Sequence, residues 1–439
     1  MVASIPPRFL VSLPCIPLVA LGAIHVHCVI KYAVDLPIED DWIFFTDGFR
    51  PTLDVAWLFR QHNEHRMVPT RVIIWLLYWF DGWNLRVNHM INAGIYALLV
   101  LSWLLLLNRS LRRDSWKLSP LMACFLLQGA IATNILWGIQ SSIHLCLLFI
   151  ISAILLLFTD QPGRTRLLAG SGLSVAAAYS FATGALASVV IGAVFVFVQF
   201  LRYRMGEDAD RRAVVMRSAT VGVVHVLGLA ALLALYTGGG PPKVWPHESR
   251  FWAYYIQLLS LGFGSEKVEW IWGRAIAVFA ALPVMLRLWQ SRLRLPPAEW
   301  ALVSAWCAFA AVIGSVTFGR AGFGSFEQAK SERYTELAAM MVPASLALWQ
   351  LTMRRFSAKT QIVFWASTLT LLLAISHRAW DVQSHYVRIH QRLVAGEACV
   401  RRYLANPAAD SSCPEVYPWS PLAGHLALAR ELGLSFTRH

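Results

Sequence analysis

Apolar residues along this chain come in long runs separated by short polar segments, most of them basic. Eleven runs are long enough, or nearly so, to cross the ~30 Å hydrocarbon core of a bilayer as helices rising ~1.5 Å per residue. They cover 9–34, 86–107, 118–135, 143–158, 167–181, 185–201, 218–236, 270–289, 300–317, 335–352 and 361–377. The pattern predicts an all-α, polytopic membrane bundle of about eleven helices over 1–377, followed by a polar tail, 378–439. Residues 9–34 carry Pro14 and Pro17 and lack a small-residue cleavage site, so they read as an uncleaved first helix rather than a secretory signal. The fifth run is short, and Gly170, Gly172 and Gly184 suit close packing against a neighbour.

The first loop, 35–85, is long and has structure of its own. Pro51–Thr52 reads as a helix start with Asp54 in the first turn, and Trp57, Leu58 and Phe59 as residues dipping into the membrane interface. Residues 68–80, VPTRVIIWLLYWF, are apolar but too few for an ordinary span, which predicts an interfacial or re-entrant helix.

Composition agrees with this division. Of 439 residues 57% are hydrophobic and 14% charged, against roughly 25% charged in a soluble domain. The net charge of +13 is unevenly placed. With Met1 in the cytoplasm, the inner segments hold 18 Lys and Arg against six acids, while the outer segments balance. Lys and Arg in short loops resist translocation, so the basic excess is a topology signal. It is not a nucleic-acid footprint, and nucleic acid is excluded as a partner. The first loop and the tail then lie on the outer side of the membrane. Many of the 19 Trp fall near span ends and read as an interfacial belt, with Trp42 or Trp137 available to stack on a sugar. Cys15, Cys28, Cys124, Cys146 and Cys307 lie in apolar runs and read as small hydrophobes. Cys399 and Cys413 share the outer tail, where an oxidising compartment predicts a disulfide.

Candidate chemistry crowds the outer rim. Glu39, Asp40 and Asp41 follow the first helix directly, and acids shielded at a membrane surface gain the shifted proton affinity that a general base uses. Gln61-His62-Asn63-Glu64-His65-Arg66 is a polar run between two apolar segments: His65 and Arg66 suit a phosphate, and Glu64 suits a sugar hydroxyl or one of those two. The loop 318–334 combines Gly319, Gly322 and Gly324 with Arg320, Lys330 and Arg333, cations suited to phosphate. Arg274 lies inside a run, where a charge is rare and usually functional or paired. His62, His65 and the acids offer ligands to a divalent cation, but no spacing among them marks a metal site, and no cofactor is called for.

Glu39-Asp40-Asp41 after the first helix, the run Gln61–Arg66, Trp137-Gly138-Ile139-Gln140 and Ser331-Glu332-Arg333-Tyr334 together resemble the GT-C superfamily of membrane glycosyltransferases. The likeness spans most of 9–377 by layout. It implies a GT-C-like bundle with interfacial helices in the first loop. The implied reaction moves a hexosyl or pentosyl group from a polyprenyl-phosphate (undecaprenyl) donor to a glycan, lipid or surface-protein acceptor of the cell envelope, such as lipopolysaccharide. Asp41, or failing it Asp40, takes the catalytic-base position. Glu39, Glu64, His65, Arg66, Gln140, Arg274, Arg320, Lys330, Arg333 and Tyr334 take substrate-binding positions. The chain has no large soluble C-terminal domain, which argues against transfer to a polypeptide sequon. Two other classes also fit a many-span chain. An O-antigen ligase or polymerase places its key loop late. A lipid-carrier flippase or transporter lines several spans with charge, where this chain has Arg274.

Overall fold

The structure of the chain, a computed structural model, describes residues 16–207, 210–238, 242–264, 270–323, 326–376, 380–408 and 410–438. Residues 9–15 of the first expected span, residue 377 of the last, and Gly324 lie outside them. The described chain is all-helical, and its one β feature is an isolated antiparallel bridge between His62 and His65. The protein is a multi-pass membrane protein.

Six helices among the described residues are long and apolar enough to cross a membrane: Leu85–Leu111, Gly138–Leu157, Thr183–Arg204, Arg211–Ala234, Trp272–Ser291 and Pro297–Phe323. They coincide with six expected spans to within a few residues. Local signals set their ends. Asn84 caps the first through the Arg86 amide, Asp210 caps Arg211–Ala234 through the amides of Arg212 and Ala213, and Pro297 opens the last. The remaining expected spans are helical over shorter or interrupted stretches. Ile16–Tyr32 and Arg164–Ala178 are short, and Ala358–Ser376 runs to the edge of the described residues. Residues 335–352 form two helices, Thr335–Ala339 and Met341–Met353. Residues 118–135 fall into three pieces, Ser119–Leu126, Gly129–Ile131 and Ala132–Ile135. The short fifth span does pack closely: a Cβ on Gly184 would stand 2.2 Å from the Ala177 carbonyl oxygen.

At the end of the bundle away from the first loop, the basic residues are held by neighbours. Arg109 donates to the carbonyls of Leu155 and Phe158, Arg287 grips Glu299 at 2.8 and 2.9 Å, and Arg354 meets Asp114 at 2.9 Å.

The first loop and the tail share a second core, separate from that of the bundle. Trp42, Phe44, Phe45, Trp57 and Trp83 from the loop join Leu393, Val400, Val416, Leu426 and Phe436 from the tail. Polar bonds cross the same seam. Ser435 donates to Asp35, the Glu39 amide donates to the Val416 carbonyl (2.6 Å), and Arg392 pairs with Glu39 (2.9 Å). Three expectations change here. The short helix begins at Val55, with Asp54 as its cap through the Ala56 amide rather than in its first turn. Trp57 and Leu58 are buried in this core instead of dipping into the membrane. Trp42 and Trp137 are buried too, so neither offers a face to a sugar. A core made by one loop and a short tail has little chain to bury, and large aromatic rings supply the area. Residues 68–80 form the helix Val68–Asp81, too short to cross the membrane, which buries Arg71 between Phe44 and Trp57 at 4.8 and 4.9 Å.

Cys399 and Cys413 are joined (S–S 2.04 Å), tying the helix Val382–Ala405 to the turn that receives Glu39. Closing a loop of this length is expected to contribute about 3 kcal/mol. Cys399→Ser together with Cys413→Ser should lower the unfolding free energy by that amount, seen as a lower denaturant midpoint at unchanged slope. An unchanged midpoint would show the second core to be sufficient alone.

Candidate functional site

A cavity of about 360 Å³ opens on the first-loop side of the bundle. Its apolar wall comes from the end of Arg211–Ala234 (Leu232, Leu233) and the end of Pro297–Arg320 (Val316, Phe318). Leu233 and Tyr236, 72% and 45% exposed, also line the cavity, so its apolar wall reaches the surface of the chain. Its polar end is built by Glu64, His65, Arg66, Lys243 and Arg320.

The run 61–66 makes that end because it folds on itself. His62 and His65 exchange two backbone bonds of 2.8 Å each, and Asn63 takes the left-handed conformation (φ 49°) that the reversal needs. Gln61 then ties the following segment: its side chain accepts from Thr237 N (3.0 Å) and donates to Gly238 O (2.9 Å). Beyond that, Pro242 packs so closely on Gly322 that a Cβ there would lie 1.8 Å from the Pro242 oxygen. This contact carries Lys243 to the cavity.

Charges inside the cavity are partly compensated. Arg320 pairs with Glu64, while the other Glu64 oxygen is buried without a partner among the described residues. Arg66 donates to the Phe59 carbonyl. The sequence suggested that His65 binds a phosphate; its ring already has other partners. Its Nδ1 accepts the Ala182 amide (3.0 Å), its ring stacks on Phe181 at 4.0 Å, and burial, then Arg320, His62 and Arg333, push its pKa well below the usual histidine value. Tyr334 lines the cavity, and Arg333 lies behind it with its guanidinium 4.9 Å from the ring.

The three acids separate. Glu39 is engaged by Arg392 and points to the tail. Asp40, 23% exposed at the side chain, lies 3.7 Å from His62 Nε2, one histidine away from the Glu64–His65 end of the cavity. Asp41 is fully buried. Its Oδ1 accepts the Ile139 amide (2.8 Å), and its Oδ2 accepts those of Ile38 and Gly138 (3.3 Å each). The segment 138–140 receiving Asp41 is anchored again by Asn88 and Asn92, which donate to the carbonyls of Gly138 and Trp137.

Glu39, Asp40, Asp41, Gln140, Arg274, Lys330 and Arg333 are not among the residues that line the cavity. Gln140 is buried beside the Asp41 segment; Arg274 and Lys330 lie on exposed surface. Lys243 and Tyr236, conversely, drew no notice in the sequence. Lys243 is a single base after a Gly-Pro-rich turn, and only the Gly322 contact reveals where that turn leads. Among the described residues no three His, Cys, Asp or Glu side chains converge, so a divalent cation has no ready-made ligand set there.

No protein-family model matches the chain, and no curated protein matches it. Among solved structures it is similar to that of ArnT from Cupriavidus metallidurans bound to undecaprenyl phosphate. The identity is 13% and the TM-score 0.41, over 95% of this chain and 76% of that one.

Asp41 gives the site a pH dependence. Full burial pushes its carboxyl up to about 7, against the three amide bonds that favour its ionised form, and Asp40 adds to the rise. An unfolded aspartate titrates near 3.8. The folded value is the higher one, so the stability Asp41 lends is complete below the unfolded value and is lost as pH rises through about 7. Thermal unfolding of wild type and Asp41→Asn across this range should show a slope in the first that is missing in the second. Parallel profiles would contradict the assignment.

Proposed function

We propose that this protein is a glycosyltransferase of the GT-C kind, moving a sugar from a polyprenyl-phosphate donor to a hydroxyl acceptor at the extracytoplasmic face of the bacterial inner membrane. The observation that carries the reading is the cavity itself: an apolar wall reaching the surface of the chain through Leu233 and Tyr236, ending at Arg66, Lys243 and Arg320. A lipid phosphate is an amphiphile of that shape. Its isoprenoid chain lies along Leu232, Leu233 and Val316, and its phosphate meets the cations, with Arg suited to two-point contact.

The geometry favours Asp40 as the base. Asp41 has its oxygens occupied by backbone amides and is closed off from solvent, whereas Asp40 is partly open and pairs with the His62 ring. Asp40 takes the acceptor hydroxyl proton as that oxygen bonds to the anomeric carbon. The bond from that carbon to the phosphate oxygen breaks, and polyprenyl phosphate leaves with its charge held by Arg320 and Lys243. The leaving group is good, so catalysis is mainly positioning and charge stabilisation. Asp41 acts through structure, tying the first loop to 138–140. The acceptor belongs to the cell envelope, as a glycan, lipid or surface protein.

The test is to load membranes with a photoreactive polyprenyl phosphate and map the adducts. Labels concentrated in 232–236 and 315–320 are expected. Labels spread along several spans to the opposite leaflet would favour a lipid-carrier flippase and end this reading.

A further inference from the structure

The turn 332–336 is held from behind at three points. Thr133 donates to Glu332 (2.7 Å), and Arg388 pairs with the other oxygen of Glu332. Asn134 Nδ2 donates both to the Arg333 carbonyl (3.0 Å) and to Glu336 Oε2 (2.9 Å). His144 Nε2 lies 3.0 Å from the same Glu336 oxygen. Asn134, His144 and Glu336 are all fully buried. Such groups inside an apolar bundle are costly, and well-packed apolar side chains would hold helices together at least as well. Their satisfaction is also incomplete: Glu336 Oε1, Asn134 Oδ1 and His144 Nδ1 have no hydrogen-bond partner among the described residues. Stability alone does not account for a cluster of this kind.

What the cluster does is fix the backbone on both sides of Tyr334. One anchor is the carbonyl of Arg333, the other the side chain of Glu336. Tyr334 between them lines the cavity, and its hydroxyl, buried in the wall, is without a hydrogen-bond partner among the described residues. We propose that Asn134, His144 and Glu336 are positioning residues, setting Tyr334 so that its hydroxyl donates to the phosphate of a lipid-linked ligand in the cavity. This rests on the cavity being the lipid-phosphate site.

The test measures binding of undecaprenyl phosphate, as probe, to the full chain in nanodiscs. Tyr334→Phe should weaken binding about tenfold, the loss of one hydrogen bond to a charged group. Asn134→Ala should weaken it by a similar factor, and the double variant should bind within about twofold of Tyr334→Phe, because both changes remove one contact. Unchanged binding in Asn134→Ala, or losses that multiply to about a hundredfold in the double variant, would overturn the positioning role. Should Asn134→Ala fail to fold, Asn134→Leu, which keeps the side-chain volume and removes the donor to both Arg333 and Glu336, carries the same cycle with the same outcomes. Arg320→Ala in the same assay separates the two levels. If it binds like wild type, the phosphate reading falls and takes this inference with it. If it loses binding while the cycle multiplies, only the positioning role fails.

Discussion

Asp40→Asn is expected to reduce sugar transfer by about 10²–10⁴-fold, the usual contribution of a positioned base, with membrane insertion and melting temperature unchanged. The side chain is 23% exposed, makes no cap bond to a backbone amide, and pairs with the His62 ring at 3.7 Å, so little structure depends on its charge. Asp41→Asn makes the same chemical change one residue later and should give the opposite pattern. An asparagine amide there would turn an N–H toward the Ile38 and Gly138 amides, costing about 1–3 kcal/mol. Purified protein in vesicles, assayed for release of polyprenyl phosphate and for thermal unfolding, reads both. Wild-type turnover in Asp40→Asn would remove this residue from the chemistry.

Arg320→Ala should be the most damaging change on the cation side. Arg320 and Glu64 are each less than one-fifth exposed and face each other at the polar end of the cavity. Without the guanidinium, Glu64 keeps a largely desolvated negative charge where an incoming phosphate must sit. Truncating one member of such a pair typically costs about 2–5 kcal/mol, much of it from the abandoned partner. A loss of lipid-phosphate affinity of roughly 10²-fold or more follows. Adding Glu64→Gln should recover stability but not affinity, since the lost cation is not replaced. Recovery of both would mean that Arg320 serves only to neutralise Glu64.

How much of this could be read from the sequence depended on range. Runs such as 86–107 and 185–201 are legible because burial in lipid demands an apolar stretch of fixed length. The run 118–135 is just as apolar but breaks at Leu127–Gly129, and the break is what brings Thr133 and Asn134 to the 332–336 turn. The acidic cluster follows the first helix at once in sequence, yet adjacent residues on a helical turn point about 100° apart. Which of Asp40 and Asp41 turns inward is decided by Gly138 and Ile139, nearly a hundred residues away. Trp42, Trp57 and Trp137 look like interface anchors because the sequence gives no sign that the tail folds over them.

The seam between the first loop and the tail has a consequence for biogenesis. Asp35 and Ser435 meet across 400 residues of chain, so the acidic segment is synthesised long before the partners that cover it. Until those partners are made, that segment has no finished shell and depends on the membrane or on chaperones for cover. A chain interrupted before Ser435 would insert its helices but leave this seam open.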